Sequence, residues 1–278
     1  MSDERPIGVF DSGVGGLTVL RELHRRLPDE RLIYIADLAH FPYGPRYQHE
    51  VRDFALRIIE HLVSLDVKLV VIACNTASAA ALNIAREQFD VPVVGVIAPG
   101  AQAAVDATRN GRVAVISTAG THASQEYVHA IKEANPGVGV LAKPAPELVE
   151  IVENGDADTA RADAALTELL GEIFDWGADT LVLGCTHYPM LRPALRRVVG
   201  NRLRIVDSAE TTAARVERIL SANRLEADTD VVAPEPQLFV TAWPEQFAVA
   251  VTTLFGDQLS APAELIDLWP VPSAQVAR

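Results

Sequence analysis

KLVVIACNTAS, from Lys68 to Ser78, and TLVLGCTHYP, from Thr180 to Pro189, are built to one plan. Each is an apolar, β-branched run closed by a cysteine and then by small polar residues, which predicts a strand ending in a strand-to-helix turn. Open α/β sheets bind ligands outside the carboxyl ends of their strands. Cys74 and Cys185 are the only cysteines in the chain, so a matched pair at two such ends points to one reaction centre approached from two sides.

The same alternation runs outward in both directions. Strands are expected over 7–11, 31–37, 68–74 and 91–97, with helices reaching 27, covering 51–65, and reaching 89 and 109. The pattern then restarts: a strand over 112–118, a helix to about 134, a short strand near 138–142, helices over 147–153 and 158–174, a strand over 180–185, a helix to 199 and a strand over 202–207. A helix over 209–224, an acidic proline-containing loop over 226–236, a strand over 237–241 and a helix over 246–254 complete the chain. Strands alternating with helices predict mostly parallel sheets. PIGVFDSG from Pro6 and RVAVISTA from Arg112 also resemble each other, at an interval close to that between the cysteines. The expectation is an α/β fold of two pseudo-symmetric domains, 1–97 plus 210–278 and 98–209, with the active site in the cleft between them.

Composition fits that picture and excludes others. At 278 residues and 49% hydrophobic content there is enough chain for two ordinary cores. The balance of 24 Lys+Arg against 37 Asp+Glu, a formal −13, opposes binding nucleic acid through its phosphates. The charged opening MSDERP leads straight into a strand, and no apolar run reaches the ~18 residues of a spanning helix, so a cytoplasmic address is expected and no membrane. In a reducing compartment the two cysteines read as thiols, not a bridge.

Four strand ends would then face one cleft: Asp11, Ser12 and Gly13; Cys74, Asn75 and Thr76; Ser117 and Thr118 with Thr121; and Cys185, Thr186 and His187. Helix N-termini favour anions, and with no Arg or Lys in these turns a carboxylate would be held by backbone N–H groups and neutral side chains. A thiol near ~8.5, lowered by a helix N-terminus, supplies some thiolate at neutral pH. Inverting a carbon centre needs a base on one face and an acid on the other, and one thiolate with one thiol meets that need. Asp11 and His187 are placed to assist them.

FDSGVGGLT (10–18), the pair Ala36 and Asp37 with FPYG (41–44), ACNTA (73–77), GCTHYP (184–189) and VDS (206–208) together resemble the glutamate racemase family, across nearly the whole chain and in matching order. The resemblance implies a cofactor-independent, two-cysteine interconversion of L- and D-glutamate that supplies D-glutamate for peptidoglycan. It implies Cys74 and Cys185 as the bases, and contacts to substrate from Asp11, Ser12, Tyr43, Gly44, Asn75, Thr76, Thr118, Thr121, Thr186 and His187. The family's further carboxylate aligns to Glu153, with Glu147 and Glu150 competing on the same helix face. It also implies a homodimer and, in some relatives, a second role in binding DNA gyrase. No dependence on a cell-wall precursor activator is expected.

Other readings stand beside this one. A lone cysteine is usually an inert buried residue, and the glycines of FDSGVGG could suggest a phosphate loop, but no Walker lysine follows. A metal site from Cys74, Cys185, His187 and Asp11 has suitable ligand types but unusual spacing. A pyridoxal phosphate enzyme needs a lysine, and Lys68, Lys132 and Lys143 all fall outside the cleft turns. An aspartate racemase, or a two-lobed binding protein without turnover, completes the alternatives.

Overall fold

The computed structural model describes residues 2–228, 233–256, 259 and 261–269. Two all-parallel sheets organise the chain. The first contains β1 (Ile7–Asp11), β2 (Leu32–Ala36), β3 (Leu69–Ile72), β4 (Val93–Gly95), β9 (Gln237–Val240) and β10 (Ala263–Leu265), in the order β10-β9-β2-β1-β3-β4. The second contains β5 (Arg112–Ser117), β6 (Gly139–Pro144), β7 (Thr180–Gly184) and β8 (Arg204–Asp207), in the order β6-β5-β7-β8. Each sheet with its helices forms a lobe.

Helices cover both faces of each sheet, and that is why the central strands read as unbroken apolar runs. In β3, Leu69 and Val71 join one core cluster while Val70 and Ile72 join another on the opposite face. In β7, Leu181 and Leu183 face one way and Val182 the other. The covering helices of the first lobe are α1 (Leu17–Arg26), α2 (Gln48–Ser64), α3 (Asn75–Gln88) and α11 (Pro244–Phe255). Those of the second are α4 (Ile97–Ala107), α5 (Ala119–Ser124), α6 (Glu126–Ala134), α7 (Glu147–Glu153), α8 (Ala160–Trp176) and α9 (Arg192–Val199). The long α10 (Ser208–Asn223) follows β8 and packs on both α1 and α4, so it straddles the lobes.

Register aligns the reactive ends. Phe10 pairs with Ile72 and Asp11 with Ala36 in the first sheet, and Ser117 pairs with Gly184 in the second. The turns after β1 and β3 therefore lie side by side, as do those after β5 and β7. At the opposite, amino-terminal end of these strands, Lys68 and Glu30 form a buried ion pair at 2.6 Å, with the ammonium also donating to the Asp3 carbonyl at 2.5 Å. These contacts satisfy a charge that would otherwise be very costly to bury.

Several local expectations are corrected. The single helix expected to 134 is split at Gln125, which takes a left-handed conformation (φ 58°) between α5 and α6. The helix after Cys185 starts as a 3-10 turn over Tyr188–Leu191 before α9. The short strand β10, with Leu265 exposed, was not anticipated. Residues 229–232 of the expected 226–236 loop, and 270–278, lie outside the described residues.

Candidate active site

The turns after β1, β3, β5 and β7 converge on one small cavity of about 190 Å³. That is below the ~300 Å³ at which pockets for drug-sized molecules begin. Ser12, Tyr43, Gly44, Cys74, Asn75, Thr76, Thr118, Cys185, Thr186 and His187 all line it, so both thiols share one space. Among the described residues, no lysine or arginine lines it. Lys143 pairs instead with Glu172 at 2.5 Å, and Lys132 donates to the Pro136 carbonyl at 3.2 Å.

Cys74 is the N-cap of α3, and its sulfur accepts from the Ala77 N–H at 3.4 Å. The Ser12 hydroxyl lies 3.8 Å from that sulfur and 3.4 Å from Asp11 Oδ1. Asp11 is fully buried behind it, accepting from the Gly13 N–H at 2.7 Å and from the Thr186 hydroxyl at 3.0 Å. Burial raises the Asp11 carboxyl, partly offset by His187 and these hydrogen bonds. The expected lowering of the thiol by the helix N-terminus is overturned at Cys74. Burial, reinforced by Asp11, pushes it up to about 12, and the Ala77 N–H is too small a counterweight.

The other side is built differently. His187 Nδ1 lies 3.9 Å from Cys185 Sγ, and its Nε2 donates to Glu153 Oε1 at 2.6 Å. Burial alone would lower the imidazole, but hydrogen bonds to Cys185 and Glu153 outweigh it and hold the ring up at about 10. Of the three competing carboxylates, Glu153 reaches His187 from outside the cavity, Glu150 lines the cavity, and Glu147 does neither.

Hydroxyls join the lobes. Thr76 Oγ1 lies 2.9 Å from Thr118 Oγ1 and 3.2 Å from Thr121 Oγ1, so Thr121 backs the wall without lining it. The Gly120 N–H donates to the Gly44 carbonyl at 2.9 Å, and Gln48 donates to the Gly120 carbonyl at 3.0 Å. The glycines after Asp11 serve close approach. A Cβ on Gly15 would lie 2.4 Å from Thr186 Oγ1 and 2.5 Å from His187 Nδ1, and one on Gly16 would lie 2.4 Å from Asp11 Cβ. Phe41 closes one rim with its ring 5.8 Å from that of His187.

Sequence reasoning missed three contributions. The Tyr43 hydroxyl donates to buried Asp37 at 2.6 Å, so the Asp37 carboxylate anchors the Phe41–Pro45 wall. Pro146 and Val149 supply apolar lining beside the acidic face of α7. Tyr127, from α6, donates to Asn75 Oδ1 at 2.8 Å. The ADLAHFPYG text around Asp37 was a usable signal, whereas nothing in EYVHAIKEA marks Tyr127. Among the described residues, no group of three or more His, Cys, Asp or Glu is arranged to hold a metal ion.

Known proteins match this chain closely. The Asp/Glu/Hydantoin racemase family model matches residues 7–216. The glutamate racemase of Acidothermus cellulolyticus is 47% identical over 254 residues, covering 91% of this chain and 96% of the relative. A glutamate racemase isoform from Bacillus anthracis superposes with a TM-score of 0.91 at 38% identity, covering 96% of this chain and 98% of that one. The Francisella tularensis glutamate racemase, solved in complex with D-glutamate, gives 0.88 at 31% identity, covering 96% and 98%.

Proposed function

The chain belongs to the Asp/Glu/Hydantoin racemase family, and from that premise we propose that it interconverts L- and D-glutamate by two-base proton transfer at the α-carbon. The observation that carries this reading is that Cys74 and Cys185, from different lobes, line one cavity. The relative solved with D-glutamate supports the substrate. Division into lobes 1–97 plus 210–278 and 98–209 goes with the reading.

With D-glutamate, Cys74 as thiolate takes the α-proton and Cys185 returns one to the opposite face. The enzyme is left with Cys74 protonated and Cys185 ionised, so the proton count is unchanged. L-glutamate runs the same steps in reverse. The burial that raises Cys74 is countered by the substrate's ammonium, a positive charge that no lysine or arginine lining the cavity supplies among the described residues. The Ser12 hydroxyl, between Asp11 and Cys74, gives that thiol a proton route to a carboxylate. His187, protonated at neutral pH, stands ready to offset charge left on Cys185, with Glu153 holding the ring. Ser12, Asn75, Thr76, Thr118 and Thr186 offer neutral donors to the two carboxylates, with Tyr43 and Gly44 shaping the wall and Thr121 behind it. No cofactor enters this scheme.

The deciding experiment is racemisation in deuterated water: the inverted product should carry deuterium on its α-carbon. Racemised product without deuterium, or no turnover of either enantiomer by the full chain, overturns the reading. Because one thiol must be ionised and the other protonated, rate against pH should be bell-shaped, the limbs belonging to the coupled pair. The same reading extends to D-glutamate supply for peptidoglycan, a cytoplasmic address and a homodimer, which sedimentation tests. Among the described residues no helix is long and apolar enough to cross a membrane. A secondary role in binding DNA gyrase is tested with Cys74→Ser, where an effect on supercoiling without turnover would separate the two.

A further inference from the structure

Asn75 opens α3 and lines the cavity, yet its two amide ends differ in fate. Its Oδ1 accepts from the Tyr127 hydroxyl at 2.8 Å. Its Nδ2 is buried and, among the described residues, has no hydrogen-bond partner. Since buried polar groups are almost always paired, a donor left unpaired on a cavity wall marks the place of a ligand acceptor.

Tyr127 belongs to the other lobe and does not line the cavity. It is 3% exposed, and its ring sits where two glycines leave room. A Cβ on Gly184 would lie 3.0 Å from Tyr127 Cε2, and one on Gly100 would lie 3.4 Å from the hydroxyl oxygen. Gly184 immediately precedes Cys185, and Gly100 lies in the first turn of α4, where the chain passes from the first lobe to the second. Ser208, the first residue of α10 where the chain passes back, stands beside the phenol and favours its ionised form against burial.

A neutral phenol has one proton to give. Given to Asn75 Oδ1, it leaves the phenol oxygen only as an acceptor, so the bond between the phenol and the amide has one direction. The amide is thereby oriented. Turned by half a rotation, Asn75 would donate to the phenol and present an oxygen to the cavity, where a carboxylate would be repelled.

We propose that Tyr127 is a positioning residue that, across the lobe seam, fixes the Asn75 amide with its N–H edge toward a substrate carboxylate. This deepens the glutamate reading and rests on it. Because the contact holds substrate and transition state alike, its loss falls on KM and spares kcat.

Tyr127→Phe keeps the ring and removes the hydroxyl. Steady-state racemisation with the full chain should give KM raised about tenfold and kcat changed by less than about threefold. Asn75→Ala should raise KM at least as much, and adding Tyr127→Phe to it should change nothing further. Multiplying effects in the double variant, a fall in kcat at constant KM, or unchanged KM in Tyr127→Phe would each overturn the proposal. Should Tyr127→Phe fail to fold by circular dichroism, Ser208→Ala takes its place, with a smaller KM rise that also vanishes in the Asn75→Ala background. Wild-type turnover is measured first. Its absence removes the glutamate reading, whereas normal wild-type turnover with additive variants removes only the role of Tyr127.

Discussion

Cys74 and Cys185 close strands of one pattern in lobes of one plan, yet their surroundings differ in kind. Around Cys74 stand a hydroxyl and a buried carboxylate, and the thiol is pushed up to about 12. Around Cys185 stands an imidazole held up at about 10 by that sulfur and by Glu153. Backbone similarity therefore fixes where the two sulfurs sit, while side chains from neighbouring turns decide what charge each meets. The proposed two-base reaction would draw on both: two thiols in one cavity and different charges beside each.

The hardest blow to that comparison is removal of either sulfur. Cys74→Ser and Cys185→Ser should each cut racemisation about 10³-fold or more, measured by polarimetry in both directions. A variant that keeps near-normal turnover would mean the two sides are not equivalent in the reaction at all. The imidazole side comes next. His187→Asn should cost about 10²-fold, and Glu153→Gln should pull the alkaline limb of the rate profile downward, because the ring loses one of the two partners holding it up.

The same residue gives a stability signature. His187 is raised from 6.5 in the unfolded chain to about 10, so its contribution is fully present below 6.5 and is lost as pH rises through about 10. Thermal melting followed from pH 6.5 to 10 should show this decline, flattened in Glu153→Gln. Cys74, raised from 9.0 to about 12, adds its own decline only from about 9 upward, so the loss between 6.5 and about 9 belongs to His187. Gly15→Ala tests the contact between them. Its methyl would press on buried Thr186 and His187, so activity should fall about tenfold and the melting temperature should fall with it. Smallest is Thr121→Val, expected to raise KM about threefold, since Thr76 and Thr118 still pair without it.

What could be read from the text followed from strand chemistry. β-branched runs such as LVVI and TLVLG placed the strands, and the residues after them placed the cleft. The glycines after Asp11 were visible but their purpose was not, because Gly15 exists for contact with Thr186, more than 170 positions away. Glu147, Glu150 and Glu153 could not be ranked, because steps of three residues rotate by about 60° around a helix. Small turns separate an exposed carboxylate, a cavity wall and a partner for His187. The break at Gln125 escaped because a left-handed residue is normally signalled by glycine, and here it is not.

Four of the bonds across the rim, Gly120 to Gly44, Gln48 to Gly120, Thr76 to Thr118 and Tyr127 to Asn75, involve no charged side chain, and a fifth, Thr186 to Asp11, ends on a carboxyl buried away from dissolved ions. Each of the four is worth about 0.5–1.5 kcal/mol net, and dissolved ions screen none of them. The latch should therefore feel the same in dilute buffer and in brine, and admission of the amino acid becomes a matter of water replacing a few neutral contacts one at a time.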